Sequence, residues 1–307
     1  MKLTLRQLEV FAAIARSENV SRAAGALAMS QSAASSALVE LERQFDCPLF
    51  DRIGKSLRLN STGRGLLPQV DDLLARAAGI EGYLAGGLLG PLAVGATLTI
   101  GNYLATLVVA EYLQQHPASK IGLHVANTHD IVERLRRCEL DIGLIEGETH
   151  EPELLLERWL DDALVVFCAP HHPLAAAGTA DSQLLATQNW IVRERGSGTR
   201  ALFDQVIASA LPDLHIQLEL EHTEAIKRAI ESGLGIGCLS RLSLREAFRR
   251  GSLVEIRTPQ FDLRRHFYFA RHRQRHLSPA MQAFLSLCRE SSGDARNTDT
   301  LELPFIR

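Results

Sequence analysis

The sequence is short of several things, and each absence narrows its class. No apolar run in the 307 residues approaches the roughly 18 that a membrane span needs. Positive charge is not in excess. The net charge is −3, so the chain as a whole is no basic nucleic-acid coat. There is no cysteine framework either. Cys47, Cys138, Cys168, Cys238 and Cys288 are odd in number, widely spaced and set in largely apolar runs, which points to reduced, packed thiols in a cytoplasmic protein. An export signal is not expected, because residues 1–18 are amphipathic and carry Arg6, Glu9 and Arg16. "CAPHH" at 168–172 has no second ligand pair at metal spacing, so no metal site is expected. "GLGIG" at 233–237 runs from helix to strand, the wrong order for a dinucleotide loop. "RHRQRH" at 271–276 reads as a solvated face, and no internal repeat stands out.

What is present is an ordinary globular composition, 46% apolar and 22% charged, long enough for two or three domains. Charge is uneven along it. Residues 1–65 carry nine Lys/Arg against six Asp/Glu, a net of +3 that leaves −6 for the remainder. A mildly basic first unit on an acidic body hints at an anionic partner for that unit alone.

That first unit reads as three short helices. "TLRQLEVFAAIARSE" places Leu5, Leu8, Phe11, Ala12 and Ala15 on one face. Ser21 is expected to cap a second helix and Ser30 a third, "QSAASSALVELERQF", across a tight turn: the helix-turn-helix pattern. "LFDRIGKSLRLNSTG" then alternates around Gly54–Lys55 as a β-hairpin, or wing. Thr62 is expected to cap a long helix whose Leu66, Leu67, Val70, Leu73, Leu74, Ala77 and Ile80 follow 3–4 spacing. "AGGLLGP" at 85–91 is the best domain boundary.

After Pro91 the rhythm becomes α/β. Strands are predicted at 92–96, 120–127, 141–146, 164–169, 190–193, 217–222, 236–240, 253–256 and 266–270. Helices fall between them at 103–116, 128–137, 199–211, 224–232, 241–250 and 279–289. This alternation implies parallel sheets in two α/β lobes. The tail 291–307 begins polar and is expected to be loose.

Taken together, "L-x-x-F", "S-x-A-A-x-x-L", "S-Q-S-A-x-S", "L-E", "L-F-x-R" and "L-x-x-T-G" resemble the N-terminus of the LysR-type transcriptional regulators. The later stretches "VGATLTIGNYL", "LDIGLIEG", "VRERGSGTR" and "HTEAIKRAIESGLGIGCLS" resemble the regulatory domain of that family. The likeness covers nearly the whole chain, to about Arg289. Its wording is nearest the branch that regulates sulfur assimilation and carbon dioxide fixation.

The resemblance implies a multidomain α+β fold. A winged helix-turn-helix (1–61) is followed by a linker and dimerisation helix with a hinge (62–91). A periplasmic-binding-protein-like domain (92–290) follows, with lobe I at about 92–161 and 266–290, and lobe II at about 162–265. The long helix would pair with that of a second subunit, in a dimer assembled into a tetramer, and RNA polymerase would be a further partner.

Promoter DNA would meet Ser21, Gln31, Ser32, Ser35 and Ser36. Gln31 has the amide to read adenine, the serines can bond phosphate or base edges, and Ala33 and Ala34 permit close approach. Arg52, Lys55 and Arg58 in the wing would supply phosphate or minor-groove contacts. Taken alone, a Ser/Ala run is equally a close helix-packing face. Many family members carry an arginine where this chain has Ser36 or Ala37.

No cofactor is expected beyond a small-molecule effector, an oxyanion or carboxylate. Thr97, Thr99, Asn127, Thr128, Ser197, Gly198, Thr199 and Thr223 sit at strand-to-helix junctions, where ligands of open α/β sheets bind. Each alone is no more than a helix cap. Glu146 ends a strand near the same place, and Arg195 and Arg200 are candidate counter-charges. The competing reading is a solute-binding or enzymatic α/β protein with an incidental helical N-terminus, although no catalytic residues suggest themselves.

Overall fold

The computed structural model describes residues 3–53, 56–84, 89–293, 295 and 297–301. These fall into two units, the first made of residues up to Pro91 with the short pieces 118–120 and 272–280.

In the first unit, α1 (Leu5–Ser17) opens with a reciprocal cap. The Thr4 hydroxyl accepts from Gln7 N at 3.2 Å and the Gln7 side chain accepts from Thr4 N at 2.9 Å. Leu8, Phe11, Ala12 and Ala15 are buried as expected, whereas Leu5, in the first turn, is exposed. α2 (Val20–Ala26) is capped by Asn19, which accepts from Arg22 N at 3.0 Å. Ser21 is therefore not the cap but an exposed residue inside the helix. α3 (Gln31–Phe45) does start on Ser30, whose hydroxyl accepts from Ala33 N at 3.2 Å.

β1 (Phe50–Ile53) and β2 (Ser56–Leu59) form the expected antiparallel hairpin, Phe50 opposite Leu59. α4 (Ser61–Leu84) begins on Asn60, which accepts from Gly63 N at 2.8 Å, and not on Thr62. Asparagine wins at both starts because its carboxamide reaches the free N–H groups of the first turn.

Phe11 and Phe50 meet edge to face, 5.8 Å between centroids, at the centre of this unit's core. Leu67 and Val70 of α4 are buried in that core, with Leu66 and Leu74 packed against it. Part of the supposed dimerisation stripe is thus already covered by its own chain. Leu73 and Ile80 are the apolar members of the stripe left exposed, and Ala77 is half-buried.

The second unit is a nine-stranded mixed sheet. Its strands are β3 (Leu92–Thr97), β4 (Ile121–Ala126), β5 (Ile142–Glu146), β6 (Leu154–Cys168), β7 (Asn189–Arg193), β8 (His215–Leu220), β9 (Ile236–Ser240), β10 (Val254–Ile256) and β11 (Arg264–His272). The order is β4-β3-β5-β11-β6-β9-β7-β8, with β10 also on β6. β3 is parallel to β4 and β5, and β7 to β8 and β9, as expected. β11 runs antiparallel to β5, and β6 antiparallel to β9 and β10. These two strands carry the chain from one lobe to the other, so they do not follow the crossover rule of the rest.

The helices are α5 (Leu98–Ile100), α6 (Thr106–Gln115), α7 (Thr128–Arg136), α8 (Pro173–Ala177), α9 (Ser182–Ala186), α10 (Gly198–Phe203), α11 (Thr223–Glu231), α12 (Arg241–Arg250) and α13 (Pro279–Ser292). A π-helical turn, Gly101–Ala105, joins α5 to α6, so the helix begins five residues earlier than periodicity suggested. The tail is not loose where it is described. Thr298–Thr300 forms a 3-10 turn, and Thr298 and Leu301 are buried. No helix among the described residues is long and apolar enough to cross a membrane.

Candidate functional site

In the first unit, α3 turns two faces in different directions. Ala34, Leu38 and Leu41 are buried, so Ala34 serves the core and not close approach to a partner. Gln31, Ser32, Ala33 and Ser36 are exposed and Ser35 is half-buried. The Ser30 and Ser32 hydroxyls lie 3.0 Å apart. Arg43 on the same helix is held by Glu40 at 2.8 Å through both Nε and Nη2, which uses its charge locally. Arg58 on β2 is exposed. Lys55 and the Arg52 side chain lie outside the described residues. The outcome is an uncharged, hydroxyl-rich helix face and a wing with an exposed cation.

In the second unit, a cleft of about 740 Å³ opens among the segments that follow β4, β5 and β7 and the start of β11. Of the expected residues, Thr128, Glu146, Ser197 and Gly198 line it, and so does Arg195. Thr97, Thr99, Asn127, Thr199 and Thr223 do not. The four threonines are 1–2% exposed. The Asn127 side chain is spent on capping α7, accepting from Asp130 N at 3.0 Å. The Thr97 hydroxyl donates to the Leu144 carbonyl at 3.4 Å.

The lobes touch directly. Gly198 N donates to Thr128 Oγ1 at 3.1 Å, and His129 N to the Gly196 carbonyl at 3.1 Å. A Cβ at Gly198 would overlap the Glu146 carbonyl oxygen, so only glycine lets α10 approach β5 this closely. Further along, Tyr103 donates to Glu224 at 2.9 Å, and the half-buried Tyr103 hydroxyl is pushed well above its usual pKa by burial and by that carboxylate.

Glu146 is the centre of a buried cluster. Its Oε1 accepts from Thr99 N at 2.9 Å, and its Oε2 from the Thr199 hydroxyl at 3.1 Å and Arg265 Nη1 at 2.7 Å. Arg265 Nη1 also reaches Thr199 Oγ1 at 3.0 Å, and its Nε donates to Asp162 at 2.7 Å. Burial by itself would raise the Glu146 carboxyl. The Arg265 and Arg193 guanidiniums and the Thr99 N–H outweigh it and hold the group at about 2. Glu146 is therefore a buried anion already paired with Thr99, Thr199 and Arg265. Arg200, the other candidate counter-charge, is also spent, on Asp204 at 2.8 Å and Glu219 at 2.6 Å.

Among the described residues, the buried Arg265 Nη2 beside the cleft has no hydrogen-bond partner, and neither does the buried Thr223 hydroxyl at the start of α11. A buried donor left unmade is costly, and a ligand that supplied an acceptor would relieve it. The sequence reading missed Arg265 and Asp162. Their signal was present as charged pairs at the expected lobe boundaries, "DD" at 161–162 within β6 and "RR" at 264–265 at the start of β11.

Residues 5–64 match the family described as the bacterial regulatory helix-turn-helix protein, lysR family, and residues 85–293 match the LysR substrate binding domain. The chain belongs to the LysR family.

Among its LysR-type relatives is the uncharacterized HTH-type transcriptional regulator YeiE of Escherichia coli K12. It is 44% identical over 94% of this chain and 98% of that protein. The RuBisCO operon transcriptional regulator of Allochromatium vinosum is 31% identical over 92% of this chain and 95% of that protein, which agrees with the branch read from the motifs. The regulatory domain of CcmR from Synechocystis PCC6803, solved in complex with 2-PG, is 29% identical. It covers 66% of this chain and 98% of that one, with a TM-score of 0.60. These LysR-type relatives are transcriptional regulators, so the competing reading as a solute binder or enzyme falls away. The chain is a DNA-binding regulator with an effector-binding domain, of a family whose members are typically oligomeric.

Proposed function

We propose that this LysR-type regulator works in the cytoplasm and senses a small oxyanion, sulfite-like or phosphate-bearing, between its two α/β lobes. The observation that carries the reading is Arg265, which lines the cleft with its buried Nη2 unpartnered. An acceptor oxygen of an anion there would satisfy that free Nη2, and guanidinium is suited to oxyanions. The CcmR regulatory domain in complex with 2-PG supports a small-molecule ligand in this domain. A carboxylate is the second reading, because the same guanidinium can donate to one.

On the DNA side, Gln31 reads base edges, while Ser32 and Ser36, with Ser21 and Ser35 beside them, bond phosphates or base edges. Arg58, with Arg52 and Lys55 of the wing, holds the backbone. α4 pairs two subunits, two dimers form a tetramer, and the effector changes DNA bending and contact with RNA polymerase. The effector must favour one arrangement of the subunits over the other, or it shifts nothing.

Calorimetric titration of the full chain with sulfite and with inorganic phosphate tests the ligand class. Arg265→Lys, which removes Nη2, combined with Ser197→Ala, both in the cleft lining, is expected to lose the anion response and keep promoter binding. Unchanged anion affinity in that double variant removes the cleft assignment.

A further inference from the structure

The C-terminal segment 297–301 lies against the strands on which the lobes meet. Asn297 pairs with Asp161 in a parallel β-bridge. The Thr298 hydroxyl, 1% exposed as a residue, donates to Asp162 Oδ1 at 2.8 Å, and Ser240 donates to the same oxygen at 2.8 Å. The other Asp162 oxygen takes Arg265 Nε, and Arg265 Nη1 takes Glu146 and Thr199. From α12, Arg245 donates to the Leu301 carbonyl at 2.8 Å and the Asp299 carbonyl at 2.7 Å, which pins the segment from its far side. An unbroken chain of buried hydrogen bonds thus runs from the tail to the cleft.

We propose that residues 297–301 form a strap that positions Arg265, with Thr298 as its positioning residue. Thr298 and Ser240 fix the Asp162 carboxylate, and the carboxylate fixes the guanidinium. The guanidinium in turn holds Glu146, which lines the cleft, and the buried Thr199 hydroxyl. Without the Thr298 hydroxyl, Asp162 Oδ1 keeps one of its two side-chain donors and can turn. Arg265 then loses the anchor that sets its plane, and Glu146 loosens with it. The ligand consequence rests on the cleft reading above, but the positioning does not.

The experiment uses the full chain without ligand and reads amide exchange at Thr99, whose N–H is bonded to Glu146. Thr298→Val deletes the hydroxyl at nearly constant shape. Loss of a hydrogen bond to a charged group predicts roughly tenfold faster exchange at Thr99. Ile191 on β7 is expected to stay unchanged, and Thr298→Ser to restore Thr99. Arg245→Met, which releases the segment without touching Asp162, is expected to act in the same direction, and it serves where Thr298→Val fails to fold. Thr99 exchange unchanged in both variants, or raised by the same factor at Ile191, overturns the strap. Titration with sulfite and inorganic phosphate then separates the two claims. Wild-type protein that binds neither overturns the anion reading of the cleft, while the Thr99 result still decides the strap.

Discussion

Arg265 donates to Glu146 across 2.7 Å, and the two side chains are 3% and 2% exposed. One guanidinium thus joins β11 to the end of β5, and through Asp162 at 2.7 Å to β6 as well. A buried ion pair is weak evidence for net stability, but breaking one leaves an uncompensated charge. Consequences follow for pH, for close packing at the lobe contact, for assembly and for DNA.

Stability is expected to fall in acid through Glu146. Its folded pKa, about 2, lies below the ordinary 4.5. A depressed carboxyl stabilises the fold above the unfolded value and loses that contribution as pH drops toward 2. The whole shift corresponds to about 3 kcal/mol, lost between roughly pH 5 and pH 2. Urea unfolding of wild type and Glu146→Gln at pH 7, 4 and 3 checks this. The gap between them is expected to narrow as pH falls, and a constant gap contradicts the assignment.

Gly198→Ala is expected to force the lobes apart. The added Cβ would overlap the Glu146 carbonyl and lie 3.0 Å from Thr128 Oγ1. Neither atom is the end of a flexible chain, so the cost should be about 1–3 kcal/mol. Gly122→Ala, where nothing lies within 4 Å, is the control and should be near neutral. Thermal unfolding gives the sizes. Faster exchange at the Gly196–His129 contact would show that the strain falls between the lobes.

The two halves of the α4 stripe are expected to fail differently. Leu67 and Val70 belong to the core of the first unit, so Leu67→Ala should cost about 2–5 kcal/mol of its stability. Leu73 and Ile80 are exposed, 41% and 63%, so Ile80→Glu should leave stability alone and shift the dimer toward monomer. Sedimentation velocity with parallel denaturation separates the outcomes. If Ile80→Glu stays fully associated, α4 is not the subunit contact.

This division of the stripe marks how far the sequence could be read. Spacing of three and four showed that α4 has an apolar face, but not that the chain's own α1 takes part of it. The capping of α3 by Ser30 was legible because a cap and its helix are neighbours. The Asp162–Arg265 contact spans 103 residues, and no local pattern encodes it. Only the breaks in apolar rhythm at 161–162 and 264–265 marked the place. Thr298 was hidden for a related reason. A polar run reads as solvated, and nothing local says that one of its hydroxyls will meet a buried carboxylate.

Gln31 and Arg58 are expected to contribute to DNA binding in different currencies. Gln31 is exposed at the first turn of α3 among small residues, where a carboxamide can bond two atoms of one base edge. Gln31→Ala should cost about 1–3 kcal/mol at the preferred site and little elsewhere, so specificity relaxes. Arg58 is an exposed cation on the hairpin. Arg58→Ala should weaken every sequence alike and reduce the slope of log affinity against log salt by about one. The helix itself lends little countervailing charge, because Arg43 is closed onto Glu40. The wing should therefore carry a larger share of the salt dependence than α3 does. Fluorescence anisotropy with a promoter fragment and a scrambled fragment, each at several salt concentrations, resolves both effects. A uniform loss from Gln31→Ala, or a sequence-selective loss from Arg58→Ala, would reverse the roles given to helix and wing.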